Sequence, residues 1–395
     1  MSEKVERIRN IALIGHGGAG KTSLAEALLF KSGTRKRLGK VDDGNTAMDF
    51  EPEELKRRSS ISSGFHQFSW KNHTVNLIDT PGDQNFFSDT KSSMQAADGA
   101  VVVVDAVDGV KVQTELAWEF AKEFNQPCMI FINKLDRERA DFNRAFEDAK
   151  VSFEPKPIIL QLPIGAEDEF KGIVDLVRNQ AYVYDAGGNP KKEDIPAEMQ
   201  ELVESEREAL IENIAEADDA LIERYLEGEE LSVEDLNAAL RSGTLSNTFL
   251  PVVCGSATQK IGIDLLLDFV TTRMPSPIDH GARTGVDPAT GDEIERAPDE
   301  NSPFSAFVVK TVADAYAGRL SIFRVVSGKL GSDGTFFNPN KDVKERFTQL
   351  LTIAGKEQKP AKEAGPGSIV AVAKLKETRT GDTLCDDAGK IKYAC

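Results

Sequence analysis

Two carboxylates, Asp79 and Asp83, bracket Thr80-Pro81-Gly82 at the end of an apolar run, Val75 to Ile78. An acid that closes a buried strand can hold a divalent cation, often through a water. A glycine beside it lets a backbone N–H approach an anion where a side chain would clash. Upstream, residues 15 to 22 read GHGGAGKT, which fits GxxxxGK[ST] between the apolar run Ile11 to Ile14 and the helix-like TSLAEALLF. A strand feeding a glycine-rich turn into a helix N-terminus aims several backbone N–H groups at one point, as a polyphosphate requires. The predicted contacts are His16, Gly17, Gly18, Ala19, Gly20, Lys21, Thr22 and Ser23. Gly17, Gly18 and Gly20 leave room for the phosphates. Lys21 would bridge the β- and γ-phosphates, and Thr22 would give its hydroxyl oxygen to Mg²⁺.

Residues 133 to 136, NKLD, follow the run Met129 to Ile132 and identify the base. The Asp136 carboxylate can accept from the guanine N1–H and exocyclic amine, neither of which adenine offers. Such a pair rejects the wrong analogue by about 10⁴–10⁵. Asn133 would reach N7 or tie the loops together, and the Lys134 stem would lie along the base. Gly255-Ser256-Ala257, after Phe249 to Val253, is a candidate fifth element, with Ser256 and Ala257 offering backbone N–H to the base edge. The expected ligands are therefore GTP or GDP with Mg²⁺, and an ATP-dependent enzyme is the disfavoured alternative. Asp79 would hold the metal through water, and Gly82 would donate to the γ-phosphate. Departure of that phosphate would release the segment beyond, as in a nucleotide switch. A further switch element is expected before Asp79. The stretch LKRRSSISSG, residues 55 to 64, reads as a mobile polar loop, with Ser60 as its metal-facing hydroxyl.

These residues need a scaffold. Apolar runs alternate with amphipathic stretches, which predicts a doubly wound, mostly parallel α/β sheet of the P-loop NTPase kind over residues 1–280. An α+β insertion interrupts it at about 158–248. There Val203, Leu210, Ile214, Ala217, Leu221 and Tyr225 share one face of a long acidic helix. That helix either covers its own domain or docks a partner. Residues 281–302, rich in proline, glycine and charge, read as a linker. Short β-runs over 303–395 predict a small antiparallel β-barrel.

The chain of 395 residues carries 48 Lys and Arg against 65 Asp and Glu, a net −17, which argues against general binding to DNA while leaving local patches for RNA. No run is long enough to span a membrane. The charged start, MSEKVERIRN, lacks an apolar signal core. The cysteines (Cys128, Cys254, Cys385 and Cys395) match no zinc spacing. A reduced, cytoplasmic setting and a monomer are expected.

With these motifs in order, the chain resembles the translational GTPases, most closely the elongation factor G family. DDGNTAMDFEPEELKRRSSISS resembles that family's first switch, QLPIGAEDEFKGIVDLV its insertion, and GRLSIFRVVSGKL with LKETRTGDTL its second, β-barrel domain. The resemblance implies a ribosome-dependent GTPase acting in translocation or ribosome recycling. Its partners would be rRNA and the stalk protein, the latter at the insertion. It also implies three further domains, so the residues up to Cys395 correspond to the first two and alone should not translocate.

Three positions depart from the family pattern. Asp83 stands where a histidine usually orients the attacking water. A carboxylate there would face the γ-phosphate with like charge and could not donate a proton without a raised pKa. Gln84 could take over only after a local backbone shift. RRSSI replaces RGITI, so Arg58 stands for glycine and Ser60 for threonine. Gly18 replaces a phosphate-loop aspartate, which removes a ligand for a monovalent cation. A GTP-dependent ribosome-binding module with weak or no hydrolysis is therefore the rival reading.

Overall fold

The computed structural model describes residues 2–314 and 318–394. Cys395 lies outside them. Strands β1 (Ile8–Ile14), β2 (Gly64–Trp70), β3 (His73–Asp79), β4 (Gly99–Asp105), β5 (Cys128–Asn133) and β6 (Pro157–Ile159) come first. The insertion supplies β7 (Gln161–Ile164), β8 (Gly172–Asp175), β9 (Gln180–Tyr184) and β10 (Pro190–Glu193), and β11 (Leu250–Cys254) returns to the first sheet. That sheet runs β2-β3-β1-β4-β5-β11-β6. Only the β2–β3 pair is antiparallel. β1 and β4 are buried along their whole lengths, so both faces need helical cover. The residues Pro157–Ile159, at the edge of the expected insertion, pair with β11 and end the central sheet.

Ten helices matter here. They are α1 (Ser2–Glu6), α2 (Lys21–Lys31), α3 (Pro52–Arg57), α4 (Phe87–Met94), α5 (Val112–Glu123), α6 (Phe142–Ser152), α7 (Gln200–Ala215), α8 (Asp219–Leu226), α9 (Val233–Leu245) and α10 (Ile263–Arg273). The single acidic helix expected in the insertion is instead two. The Asp218 carboxylate accepts from the N–H groups of Ala220 and Leu221 at 3.0 and 3.2 Å and starts α8 anew. Val203, Leu210, Ile214 and Leu221 are buried as expected, whereas Ala217 falls in the turn and is exposed.

The stretch read as a linker folds into a hairpin, β12 (Arg283–Val286) with β13 (Glu293–Arg296). Beyond it come β14 (Ser305–Asp314), β15 (Gly318–Ser327), β16 (Leu330–Gly331), β17 (Gly334–Asn338), β18 (Val343–Phe347), β19 (Leu350–Ala354), β20 (Glu357–Pro360), β21 (Glu363–Ala364), β22 (Ile369–Ala373) and β23 (Thr383–Cys385). Eight of these form one curled antiparallel sheet, β18-β17-β23-β14-β15-β22-β19-β20, around Phe304, Phe323, Phe336 and Phe347.

The curled β domain docks along α4. The Ser92 hydroxyl donates to the Val309 carbonyl at 2.7 Å. Arg324, on β15, is buried and donates to the carbonyls of Ala96 and Ala97 and to the Asp98 carboxylate. Asp98 is itself fully buried and also accepts from Asn10. Arg324→Ala strands that carboxylate. The expected loss is about 3–5 kcal/mol, read as a lowered midpoint in chemical denaturation.

Candidate nucleotide-binding site

The loops that follow β1, β3 and β5 open at the same end of the sheet. β1 lies between β3 and β4, at the point where the strand order reverses and α/β sheets bind ligands. Gly20 ends the phosphate loop at φ 94°, in the left-handed region, and α2 begins at Lys21 without a side-chain cap. Its first N–H groups therefore remain available for an anion. A Cβ on Gly20 would come within 2.4 Å of the Asn133 side chain, so glycine is required on two counts. The Lys21 ammonium is buried, donating to the carbonyls of Gly15 and His16 at 2.9 Å each. The His16 imidazole turns away toward Thr114, 3.2 Å from its hydroxyl, and burial pushes it down to about 4. Only the His16 backbone faces the loop.

The Thr22 and Ser60 hydroxyls lie 3.1 Å apart, so the two predicted metal-facing oxygens are neighbours. Beside them stand two buried acids, Asp79 at 1 % exposure and Asp49 at 4 %. Among the described residues, neither carboxylate makes a hydrogen bond of good geometry, though the Thr22 and Ser60 hydroxyls lie close enough to favour their charged forms. Burial pushes both carboxyls up; Asp49 adds to the rise at Asp79, and the Thr22 hydroxyl opposes it at both. Burial pushes the Lys21 ammonium down, against the pull of Asp79 and Asp49. Two buried carboxylates with two hydroxyls form a hard-oxygen donor set, and Mg²⁺ fits it.

Asp49 was not evident in the sequence, and neither were the groups that bring it here. Glu26, on α2, accepts from Gly39 N–H at 3.2 Å, Ala47 N–H at 2.5 Å and Arg35 at 2.7 Å. Glu54, on α3, accepts from the N–H groups of Phe50, Glu51, Ile61 and Ser62 at 3.0–3.2 Å. The stretch expected as a loop from Leu55 thus begins inside α3, and Glu54 ties its remainder in place. Pro52 at the first position of α3 with an acid two residues on was the available sign of a helix start.

Gly82 packs on the phosphate loop. Its carbonyl accepts from Gly17 N–H at 3.1 Å. A Cβ there would meet Gly17 N and Lys21 Nζ at 2.4 Å. Thr80 and Thr90 hold the turn from either side through the carbonyls of Leu13 and Pro81. Asp83 differs from the expectation of a carboxylate facing the γ-phosphate. It is exposed, and its oxygen accepts from the Asn85 backbone and side chain at 2.9 and 2.8 Å, capping a short turn over Gln84–Phe86. Gln84 is exposed as well.

At the base subsite, Asn133 ties the loops together. Its amide donates to the Ala19 carbonyl, and its oxygen accepts from Ala257 N–H, both at 3.0 Å. Ser256 N–H donates to the Ile261 carbonyl at 3.0 Å, so both amides expected to serve the base edge already have acceptors, one within its own loop and one on Asn133. Lys134 bridges the Gly18 carbonyl and Asp105, another residue unforeseen from sequence. Asp136 accepts from the Thr258 hydroxyl at 3.2 Å with one oxygen; the other has no partner among the described residues. It lines a cleft of about 400 Å³ together with Ser23, Leu38, Ala257 and Thr258, a volume ordinary for a small-molecule site. Asp49→Asn is expected to weaken Mg²⁺-dependent nucleotide binding about tenfold. Metal-free binding should be unchanged, as titrations with and without a chelator would show.

Comparison with known proteins agrees with this geometry. Residues 6–276 match the family described as the elongation factor Tu GTP binding domain, and residues 303–387 match elongation factor G domain 2. A crystal structure from Thermus thermophilus is similar at 31 % identity and a TM-score of 0.85, with 98 % of this chain and 55 % of that one covered. The chain therefore spans about half the length of that relative. Its two matched domains, carried on the fold described above, make it a member of the translational GTPases of the elongation factor G type.

Proposed function

We propose that the protein binds GTP and GDP with Mg²⁺, hydrolyses GTP, and works on the ribosome in elongation (translocation) or in ribosome recycling, within the cytoplasm. The observation that carries this reading is the unpaired oxygen of Asp136, whose residue lines a cleft with Ser23, the residue that directly follows the phosphate loop. It is the acceptor that a guanine N1–H and amine require. Family membership supports the ribosome as partner, and the buried cysteines Cys128, Cys254 and Cys385 suit a reducing compartment. No helix among the described residues is long and apolar enough to cross a membrane.

In the reaction, a water oxygen attacks the γ-phosphorus, the bond to the β,γ-bridging oxygen breaks, and GDP and phosphate leave. Mg²⁺, when bound, offsets the charge on the β- and γ-phosphates. The α2 N–H groups and Lys21 hold the β-phosphate and the bridging oxygen, where charge builds up. The Gly82 peptide must turn its N–H toward the γ-phosphate, exchanging the carbonyl contact with Gly17. Thr22 and Ser60, with Asp49 and Asp79, would hold the metal. No side chain in this set positions the water, because Asp83 is engaged with Asn85. Slow intrinsic turnover follows, on the order of 10⁻⁴ to 10⁻² s⁻¹, until a partner completes the site. The same observation favours a second reading, a GTP-dependent ribosome-binding module that scarcely hydrolyses.

Titration with labelled GTP, GDP and ATP, followed by turnover with and without ribosomes, tests both. Guanine nucleotides are expected to bind at least about 10³-fold tighter than ATP. Ribosomes should raise turnover by about 10³ or more. Equal affinity for ATP would overturn the nucleotide reading. Turnover that rises only in Asp83→His would select the binding module.

A further inference from the structure

Lys310, on β14, points out of its own domain and is buried, with its side chain 7 % exposed. Its ammonium donates to the Ser62 hydroxyl, to the Ser63 carbonyl at 2.9 Å and to the Asp89 carboxylate at 3.1 Å. An ammonium has three N–H donors, and here each has its own acceptor. These acceptors belong to the two segments that flank the phosphates. Ser62 and Ser63 directly follow the Ser60–Ile61 step of the first switch, and Asp89 lies in the first turn of α4, downstream of Gly82. Asp89 also accepts from Ser63 N–H at 2.5 Å, so the two segments and the curled β domain meet at one point. The walls around Lys310 include Met48, Phe65, Leu320 and Ile322.

Glu51 and Glu54 line the same cavity, so the ammonium sits among acids as well as apolar side chains. If residues 62–63 moved away, Lys310 would keep one of its three hydrogen-bond acceptors, and a largely buried cation with unmet donors is costly. Two arrangements avoid that cost. In one the first switch stays, with Ser60 against Thr22; in the other the Lys310 end of the interface parts enough for water to reach the ammonium, while Arg324 keeps Asp98. We infer that Lys310 is a positioning residue through which the curled β domain holds the first switch in its metal-facing place, so that this domain's docking and triphosphate binding favour each other. The inference rests on the nucleotide reading above. Linkage makes the coupling reciprocal: whatever docking contributes to triphosphate affinity, the triphosphate contributes to docking.

The test compares wild type, Lys310→Met and Ser62→Ala in binding a non-hydrolysable GTP analogue and GDP, both with Mg²⁺. Methionine preserves length and apolar contact and removes the donors. GDP has no γ-phosphate and does not need Ser60 in place. Lys310→Met is expected to weaken the analogue about five- to twentyfold, with GDP affinity changed less than about twofold. Ser62→Ala removes one acceptor near the surface and should shift the same ratio about threefold; it serves as the readout if Lys310→Met fails to fold. A residue that only stabilises the interface would lower both affinities equally or neither, and either result overturns the inference. A wild type that binds no guanine nucleotide overturns both this inference and the reading it rests on, and is recognised because the failure precedes any substitution.

Discussion

Two buried carboxylates without a well-made hydrogen bond, those of Asp49 and Asp79, set the terms for everything around them. Strand β3 delivers Asp79, held in register against Leu13 on one side and Gly64 on the other. Asp49 arrives from a segment with no strand to support it, and it stays because Glu26 and Glu54 capture the backbone before and after it. Lys21 is the buried cation nearby that attracts both acids, and one positive charge cannot balance two negative ones in a medium of low polarity. A small divalent cation beside Thr22 and Ser60 removes the deficit. Without an ion, burial favours the protonated carboxyls; a bound Mg²⁺ would displace those protons, at a place the first switch helps to enclose.

Close backbone approach is the second requirement, and it follows from the first. For Asp79 to reach the phosphate loop, the turn after β3 must lie on that loop, and only glycine at position 82 permits this. The carbonyl of Gly82 then takes up the Gly17 amide, a donor otherwise available to phosphate. An arriving γ-phosphate competes for that amide. Under the proposed function, switching would be a choice of partner for one peptide group, made beside Lys21.

Much of this is readable from sequence where one residue type has one job. The phosphate loop, the Asp79-to-Gly82 turn and NKLD each follow a buried strand, and their spacing alone brings them to one end of a parallel sheet. The curled β domain is legible from its short runs and turns. What stays hidden depends on partners distant in the chain. Glu54 looks like a surface acid until its four N–H partners are assembled, and Lys310 looks like an ordinary strand lysine until Ser62, Ser63 and Asp89 surround it. Asp83 departs from expectation for a local reason: its carboxylate has a nearer donor in Asn85 than any phosphate. Apolar spacing persists across Asp218 and so predicts one continuous acidic helix, while the cap that breaks it is a polar event.

Helix α4 and the turn after it carry polar contacts to the curled β domain, through Asp89 and Ser92 on the helix and the carbonyl of Ala96 just beyond it. The domain is also bonded to the central sheet, through Arg324 to Asp98, Asn10 to the Gly367 carbonyl and Gly355 N–H to the Phe65 carbonyl, so Asp83 to Phe86 joins Gly82 to a helix held on both sides. Those four residues are closed by the Phe86 N–H to Asp83 carbonyl bond at 3.0 Å and stiffened by the Asp83 side chain. Where a histidine was expected from the family resemblance, this chain carries a brace. A rotation of the Gly82 peptide would therefore have to be accommodated by a turn that is already closed and capped.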